Sequence, residues 1–296
     1  MCGAIGVDLI CRNWKNYFET RHEGLGTTYE RFVLHGYFRR IRNQYGVETV
    51  LEAPVFGMTG ISGINSMWWA MQGSQVTIVD YSRERLDAIK EVWHEISLKA
   101  RLVYDPGTFT SLTFEDREFD MSWNFAALNA DLKLEGVLRE LARVTRKVIF
   151  VCVPNRLNLF SLVCSMLEGE GRFVQLRRMD SGIIQGIMRS NGWEMKDKGF
   201  LDMPPWPDIA MSKEDLFRKI GLKRYARHLK ENITEENRIC ILDYYSGRKR
   251  EMKREMCRYA FLENCPSPFK SIWAHHSYQI FTPMNRSNDI CHHPIL

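Results

Sequence analysis

The sequence predicts a doubly wound α/β fold built on a mostly parallel sheet. Three observations carry that expectation. Apolar runs of strand length alternate with amphipathic stretches of helix length from Val47 to about Met203. Val148 to Val153 is an unbroken apolar run, VIFVCV, as expected of a strand buried on both faces. The stretch from Val47 to Ser82 reads as strand, glycine turn, helix and strand, with Asp80 closing the second strand.

That stretch is the organising unit. Val50 and Leu51 lead to an acid, Glu52, and a turn with Gly57, Gly60 and Gly63 follows. Ile64, Met67, Trp68 and Met71 recur at helical spacing, Gly73 stops the helix, and Gln75 to Val79 form the next strand. Glycines permit a sharp turn and a close ligand approach to the main chain, and a helix opening after the turn presents amides of positive potential. Asp80 lies twenty residues beyond Gly60, where a nucleotide-binding βαβ unit places its ribose-binding carboxylate. An adenosine-type ligand is the expected consequence.

The flanking elements follow in order. Trp14 to Tyr45 read as helical and aromatic-rich, with a turn at Gly24 and Gly26 and an N-cap at Thr27 or Thr28. Tyr17, Phe18, His22 and Glu23 precede that turn, either as a packed edge helix or as a flap over the ligand. Ser82 caps a helix with Leu86, Ile89, Trp93 and Ile96 on one face. Arg101 to Tyr104 form a third strand ending at Asp105-Pro106-Gly107, and Phe119 to about Asn124 a fourth. Asp131 is the expected cap of the helix carrying Leu134, Val137, Leu138, Leu141 and Ala142, with Arg143, Arg146 and Lys147 at its C-terminal end. Ile183, Ile184, Ile187 and Met188 mark a further helix, Trp193 to Met203 a sixth strand, and Ile272, Trp273, Tyr278, Ile280 and Phe281 a last one.

The expected organisation is an N-terminal helical flap over residues 1–45, a core over 46–207, a helical cap insertion over 208–265, and a final strand with tail over 266–296. The 296-residue chain has 45% hydrophobic and 26% charged residues, as ordinary globular proteins do. It has no apolar run of membrane-spanning length and no basic region before its first apolar stretch, so a cytoplasmic protein without a signal peptide is expected. Eight cysteines without a CxxC pair read as reduced thiols. The net charge of +5 is concentrated in the insertion, where 14 Lys and Arg face 10 Asp and Glu.

In their order and spacing these stretches resemble the class I S-adenosylmethionine-dependent methyltransferases. VLEAPVFGMTG is similar to the family's first-strand glycine motif and TIVDYS to the acidic end of its second strand. Asp105, LTFEDREFDMSWNFAALNAD and LEGVLRELARVTRKVIFVCVPN stand for the third strand's acid, the fourth-strand region and the route into the fifth. The likeness covers about residues 30–203 and the last strand. It implies a seven-stranded sheet whose antiparallel last strand inserts between the fifth and sixth, with S-adenosylmethionine as cofactor. It further implies Glu52, Gly57, Thr59 and Gly60 along the methionine portion, Asp80 on the ribose and Asp105 at the adenine. Tyr81 or Phe109 would cover the ring, and Asn124 would face the acceptor. The sequence departs from the family where glycines are usual, placing Pro54 and Phe56 there and lengthening the loop. Either the loop bulges around the same cofactor, or the cofactor has been lost.

Displacement at a sulfonium asks the protein mainly to align the partners and exclude water. A general base is needed only for a protonated acceptor, and His22, Glu23, His275 and His276 are the candidates. No metal is expected, because the adjacent residues of His275-His276 and of Cys291-His292-His293 would point to opposite sides of a strand. Arg250, Arg254 and Arg258 at helical spacing make either a solvated helix or a cap recognising an acidic acceptor. A small or medium-sized organic or acidic acceptor is the favoured reading. RNA or other nucleic acid is an alternative, although Asn124-Phe125-Ala126-Ala127 is not the NPPY-type motif of base-amine methyltransferases. A non-catalytic partner protein is a further alternative, and a NAD(P)-dependent oxidoreductase, suggested by Tyr245 and Lys249, the least favoured. Acceptor identity and oligomeric state are not set by the sequence.

Overall fold

The computed structural model describes residues 14–55, 60–128, 133–155, 157–158, 180–203 and 238–284. Seven strands form one sheet: β1 (Thr49–Glu52), β2 (Gln75–Asp80), β3 (Arg101–Tyr104), β4 (Phe119–Phe125), β5 (Thr145–Pro154), β6 (Trp193–Leu201) and β7 (His276–Pro283). Their spatial order is β3-β2-β1-β4-β5-β7-β6. Neighbours from β3 to β5 pair in parallel, whereas β7 runs antiparallel between β5 and β6. The expected sheet and the inserted last strand are therefore both present.

Side-chain alternation explains why the sheet is buried on both faces. Along β5, Val148, Phe150 and Cys152 enter one apolar core, while Ile149, Val151 and Val153 enter the other. The helices that cover these faces are α1 (residues 14–20), α2 (Gly24–Tyr45), α3 (Met67–Met71), α4 (Arg83–Glu95), α5 (Leu134–Val144) and α6 (Ser181–Ser190). Helices α2, α3 and α4 pack the first core through Phe38, Trp69 and Trp93, and α5 and α6 pack the second through Leu138, Leu141 and Ile184. The Ser82 side chain caps α4 by accepting from the Arg85 amide, as its sequence predicts.

Several local expectations need correction. Helix α2 begins at Gly24, so Gly26, Thr27 and Thr28 lie within it and the turn falls just before. Helix α3 is only five residues long, because residues 60–66 form turns first. Lys133 occupies the N-cap position of α5, and Asp131 lies outside the described residues. Arg146 and Lys147 belong to β5 and pair with Asp120 rather than closing α5, and Lys147 also donates to the Gly46 carbonyl at the end of α2. Ile272 and Trp273 sit in α9 (Ser267–Trp273) and are 45% and 48% exposed, so β7 starts later than the sequence suggests.

The basic run of the insertion is not one helix. α7 (Ile241–Tyr245), α8 (Met252–Met256) and a 3₁₀ helix (Cys257–Asn264) divide it. Gly247, at φ 78°, turns the chain between the first two. Arg238, Arg248 and Lys249 all converge on the buried Asp243 carboxylate. Those cations therefore hold the segment's own fold together. Among the described residues no helix is long and apolar enough to cross a membrane.

Candidate functional site

The strand order reverses direction between β1 and β4, and ligands of open α/β sheets bind outside the carboxyl ends of strands at such a point. A cavity of about 20 Å³ lies there. Glu52 and Val55 from the end of β1 and Phe125 and Ala126 from the end of β4 form its floor. Ile61, Ser62, Gly63 and Asn65 of the glycine turn form one wall, and Glu30 and Arg31 of α2 the other, with His276 of β7 beside them.

An ion pair ties α2 to the glycine turn. Arg31 and Glu23, both buried, make a two-pronged contact, with Arg31 Nε 3.1 Å from each Glu23 oxygen. The same carboxylate accepts from the Ile61 amide at 2.8 Å, and the guanidinium donates to Asn65 Oδ1 at 2.6 Å and to the Ile61 carbonyl at 3.2 Å. Gly60 adopts φ 76°, and a Cβ there would lie 2.5 Å from Arg31 Nη2 and 2.7 Å from Glu23 Oε1. Gly60→Ala is expected to destabilise the fold by more than about 1 kcal/mol, because it combines a left-handed backbone with a clash against a locked ion pair. Urea denaturation checks this.

Glu52 is buried and held by Ser66, whose hydroxyl donates to Glu52 Oε2 at 2.5 Å and accepts from Trp123 Nε1 at 3.2 Å. Burial pushes the Glu52 carboxyl up to about 8, against the opposing pull of the Ser66 hydrogen bond and of Arg31. Asp80 is also buried, and Arg85 grips it bidentately: Nε to Oδ2 at 2.7 Å and Nη2 to Oδ1 at 2.6 Å. Its Oδ1 accepts from the Ser82 amide as well. An ionised carboxylate offers about four lone-pair directions, so one remains for another donor. The Arg85 guanidinium lies 4.8 Å from the Tyr81 ring centre and 5.5 Å from that of Trp14.

The remaining predicted residues are distributed unequally. Asp105 follows β3, and its Oδ1 accepts from the Gly107 amide at 2.9 Å. Tyr81 and Phe109 meet edge to face at 6.4 Å beside Asp80. Asn124, near the end of β4, is wholly buried, and neither its amide nitrogen nor its oxygen finds a hydrogen-bond partner among the described residues. Gly57 and Thr59 lie outside the described residues, as does Trp206.

The two histidines chosen for catalysis do not line the cavity. His22 Nδ1 accepts from the Ile239 amide at 3.2 Å, joining the start of α2 to the insertion. His275 Nδ1 lies 3.0 Å from Asp202 Oδ2. Its neighbour His276 faces the cavity, because pairing of His276 with Leu201 and Pro154 sets the strand's alternation. Burial, then the charge of His275, lowers the His276 pKa to about 3, so the ring is neutral at physiological pH. Sequence reasoning missed Glu30 and Arg31, which lie well before the glycine motif, and Arg85, which stands five residues after Asp80.

Residues 58–151 match the family model described as a methyltransferase domain. The match covers about a third of the chain, from the glycine turn through most of β5. Three solved structures similar to this chain give the scale of the likeness. A provisionally assigned sarcosine dimethylglycine methyltransferase from Galdieria sulphuraria is 15% identical, with 85% of each chain covered and a TM-score of 0.49. Magnesium protoporphyrin IX methyltransferase from Synechocystis, solved with S-adenosylhomocysteine, is 11% identical over 70% of this chain and 95% of its own, at 0.47. A methyltransferase-like protein from Bacillus halodurans is 12% identical over 84% and 96%, at 0.46. No curated protein matches the chain.

The polar groups fit the cofactor better than the volume does. Asn124 carries an unsatisfied buried amide, Glu52 ends β1, and Asp80 keeps one acceptor direction. A cavity of about 20 Å³ holds roughly one water, less room than an adenosyl ligand needs. Tyr245 and Lys249, the pair suggestive of an oxidoreductase, have separate partners: His35 Nε2 at 2.8 Å and the Arg238 carbonyl at 2.9 Å.

Proposed function

We propose that this chain is an S-adenosylmethionine-dependent methyltransferase acting on a small or medium-sized organic acceptor, bound between α2 and the carboxyl ends of β1 and β4. The observation that carries the reading is the cavity at the carboxyl ends of β1 and β4, lined by Glu52, Phe125 and Ala126; Asn124, next to Phe125 in β4, adds a buried amide without a hydrogen-bond partner among the described residues. A fully buried amide without partners costs on the order of 1–3 kcal/mol, which a ligand's polar group would offset. The cofactor supplies an electrophilic methyl group when bound. Glu52 would face its cationic methionine portion, Asp80 a ribose hydroxyl and Asp105 the adenine amine, while Phe125 and Ala126 keep water from the reacting centre.

Nucleic acid is the weaker reading. α2 roofs the cavity, and three cations of the insertion are spent on Asp243. Calorimetric titration of the purified chain with S-adenosylmethionine, S-adenosylhomocysteine and NAD tests the proposal. Micromolar binding of the two adenosyl ligands is expected, weakened about tenfold in Asn124→Ala, with no binding of NAD. A labelled-methyl screen of hydroxyl, thiol and amine acceptors would follow. Absence of any binding would instead favour a partner protein that keeps the fold without the activity.

A further inference from the structure

Three elements far apart in sequence each bring one buried, metal-ligating side chain to a single point. Glu30 comes from the second turn of α2, Asp202 from just beyond β6, and His276 from the first position of β7. One ligand atom of each lies within 4.8 Å of the others. The three residues are 2%, 0% and 7% exposed. Pairing of Leu201 with His276 fixes the last two relative to one another, so the cluster is built by the sheet and not by a loose loop.

The contacts of His276 with the two acids are longer than hydrogen bonds. His276 Nδ1 lies 3.7 Å from Glu30 Oε2 and 3.8 Å from Asp202 Oδ2, beyond hydrogen-bond reach. That nitrogen has no hydrogen-bond partner among the described residues, and neither has Asp202 Oδ1. The other Asp202 oxygen is oriented by His275 Nδ1, the kind of outer contact that steers a ligating carboxylate. A third acid stands nearby: Glu263 Oε1 accepts from the Met203 amide at 2.6 Å and from the Tyr29 hydroxyl at 3.1 Å. Carboxyl groups buried this close together must either take up protons or share a cation.

The geometry points to a site for one divalent first-row cation, Zn²⁺ or Mn²⁺, held by Glu30, Asp202 and His276 at the inner wall of the cavity. Metal–ligand bonds of about 2.0–2.2 Å place tetrahedral ligand atoms about 3.3–3.5 Å apart. The two separations from His276 Nδ1 need close by only a few tenths of an ångström, and the two carboxylates already lie within 4.8 Å of one another. One imidazole nitrogen with two carboxylate oxygens is a donor set for these metals and not for a thiolate-bound structural zinc. Only one of the adjacent histidines ligates, which respects the alternation of side chains along β7.

The site also bears on the acceptor, and that part rests on the proposed function. His276 lines the cavity, and its ring lies 4.5 Å from that of Phe125 at the end of β4. Three protein ligands leave a coordination position for an exogenous group. A cation there would bind an anionic oxygen or sulfur, so the acceptor would be a hydroxyl or thiol compound rather than an amine.

Titration of the chelator-treated, dialysed full chain with ZnCl₂ and MnCl₂ tests the site. One equivalent is expected to bind with a micromolar or tighter constant, at least tenfold weaker in His276→Ala and in Asp202→Asn. Circular dichroism reports whether each variant folds. Should the variants misfold, Co²⁺ added to the wild-type chain decides: visible d–d bands without a thiolate charge-transfer band support the nitrogen–oxygen donor set. Three results would overturn the site: no binding to the folded wild type, binding unchanged in both folded variants, or a thiolate band. S-Adenosylmethionine titrated without added cation reports on the cofactor site separately, so failure there leaves the cation result standing.

Discussion

Arg31→Met is expected to lower folding stability by about 3–5 kcal/mol, the usual cost of breaking a buried ion pair from one side. The substitution leaves the Glu23 carboxylate buried, with the Ile61 amide and the Cys240 thiol as its remaining side-chain-level partners. It also strips Asn65 Oδ1 and the Ile61 carbonyl of a donor. The loss should be recovered in large part by Glu23→Leu in the same chain, since two apolar groups of similar bulk replace the pair without an orphaned charge. A double-mutant cycle in urea measures the coupling. A loss below about 1 kcal/mol for the single variant would mean that water reaches the pair and that α2 is not fastened to the glycine turn as the geometry shows. The functional consequence follows from the position of the pair. Arg31 is both the clasp of the turn and a wall of the cavity, so the contact that stabilises the fold also shapes the site.

The sheet was legible in the sequence because each of its central strands is an apolar run bounded by turn residues. VIFVCV could serve only a strand covered on both sides, and both cores do meet on it. Asp80 was legible through spacing alone. Its engagement by Arg85 was not read, although Ser82 capping α4 brings Arg85 to the start of that helix, beside the acid. The cavity wall was hidden for a different reason. Glu30 and Arg31 sit on a helix whose buried face includes several polar residues, so apolar periodicity gives no sign of what that face touches. The choice between His275 and His276 required strand register, which depends on partners in β5 and β6 rather than on local sequence. Helical spacing of Arg250, Arg254 and Arg258 misled because Gly247 and the convergence of three cations on Asp243 break the segment into short turns.

Glu52 should make both stability and cofactor affinity depend on pH, in opposite directions. Burial raises its folded-state value to about 8 from an ordinary 4.5, so between those limits the folded chain binds more protons than the unfolded one. The contribution from this group is therefore complete below about pH 4.5 and is lost as pH rises through about 8. The size is on the order of a few kcal/mol. Glu52→Gln, which cannot ionise, should remove that slope and leave the variant relatively more stable at pH 9 than at pH 6. Binding runs the other way. S-Adenosylmethionine is cationic at its sulfonium and ammonium centres, so it favours the ionised carboxylate and must displace the proton to gain that interaction. Its dissociation constant in the wild type should fall by up to about tenfold per unit between pH 6 and 8 and level off above, whereas Glu52→Gln should bind weakly and without this trend. Calorimetry in buffers of different ionisation enthalpy would detect the released proton directly. A wild-type constant that stays flat from pH 6 to 9 would remove Glu52 from the cofactor site, leaving its burial against Ser66 as a feature of the fold alone.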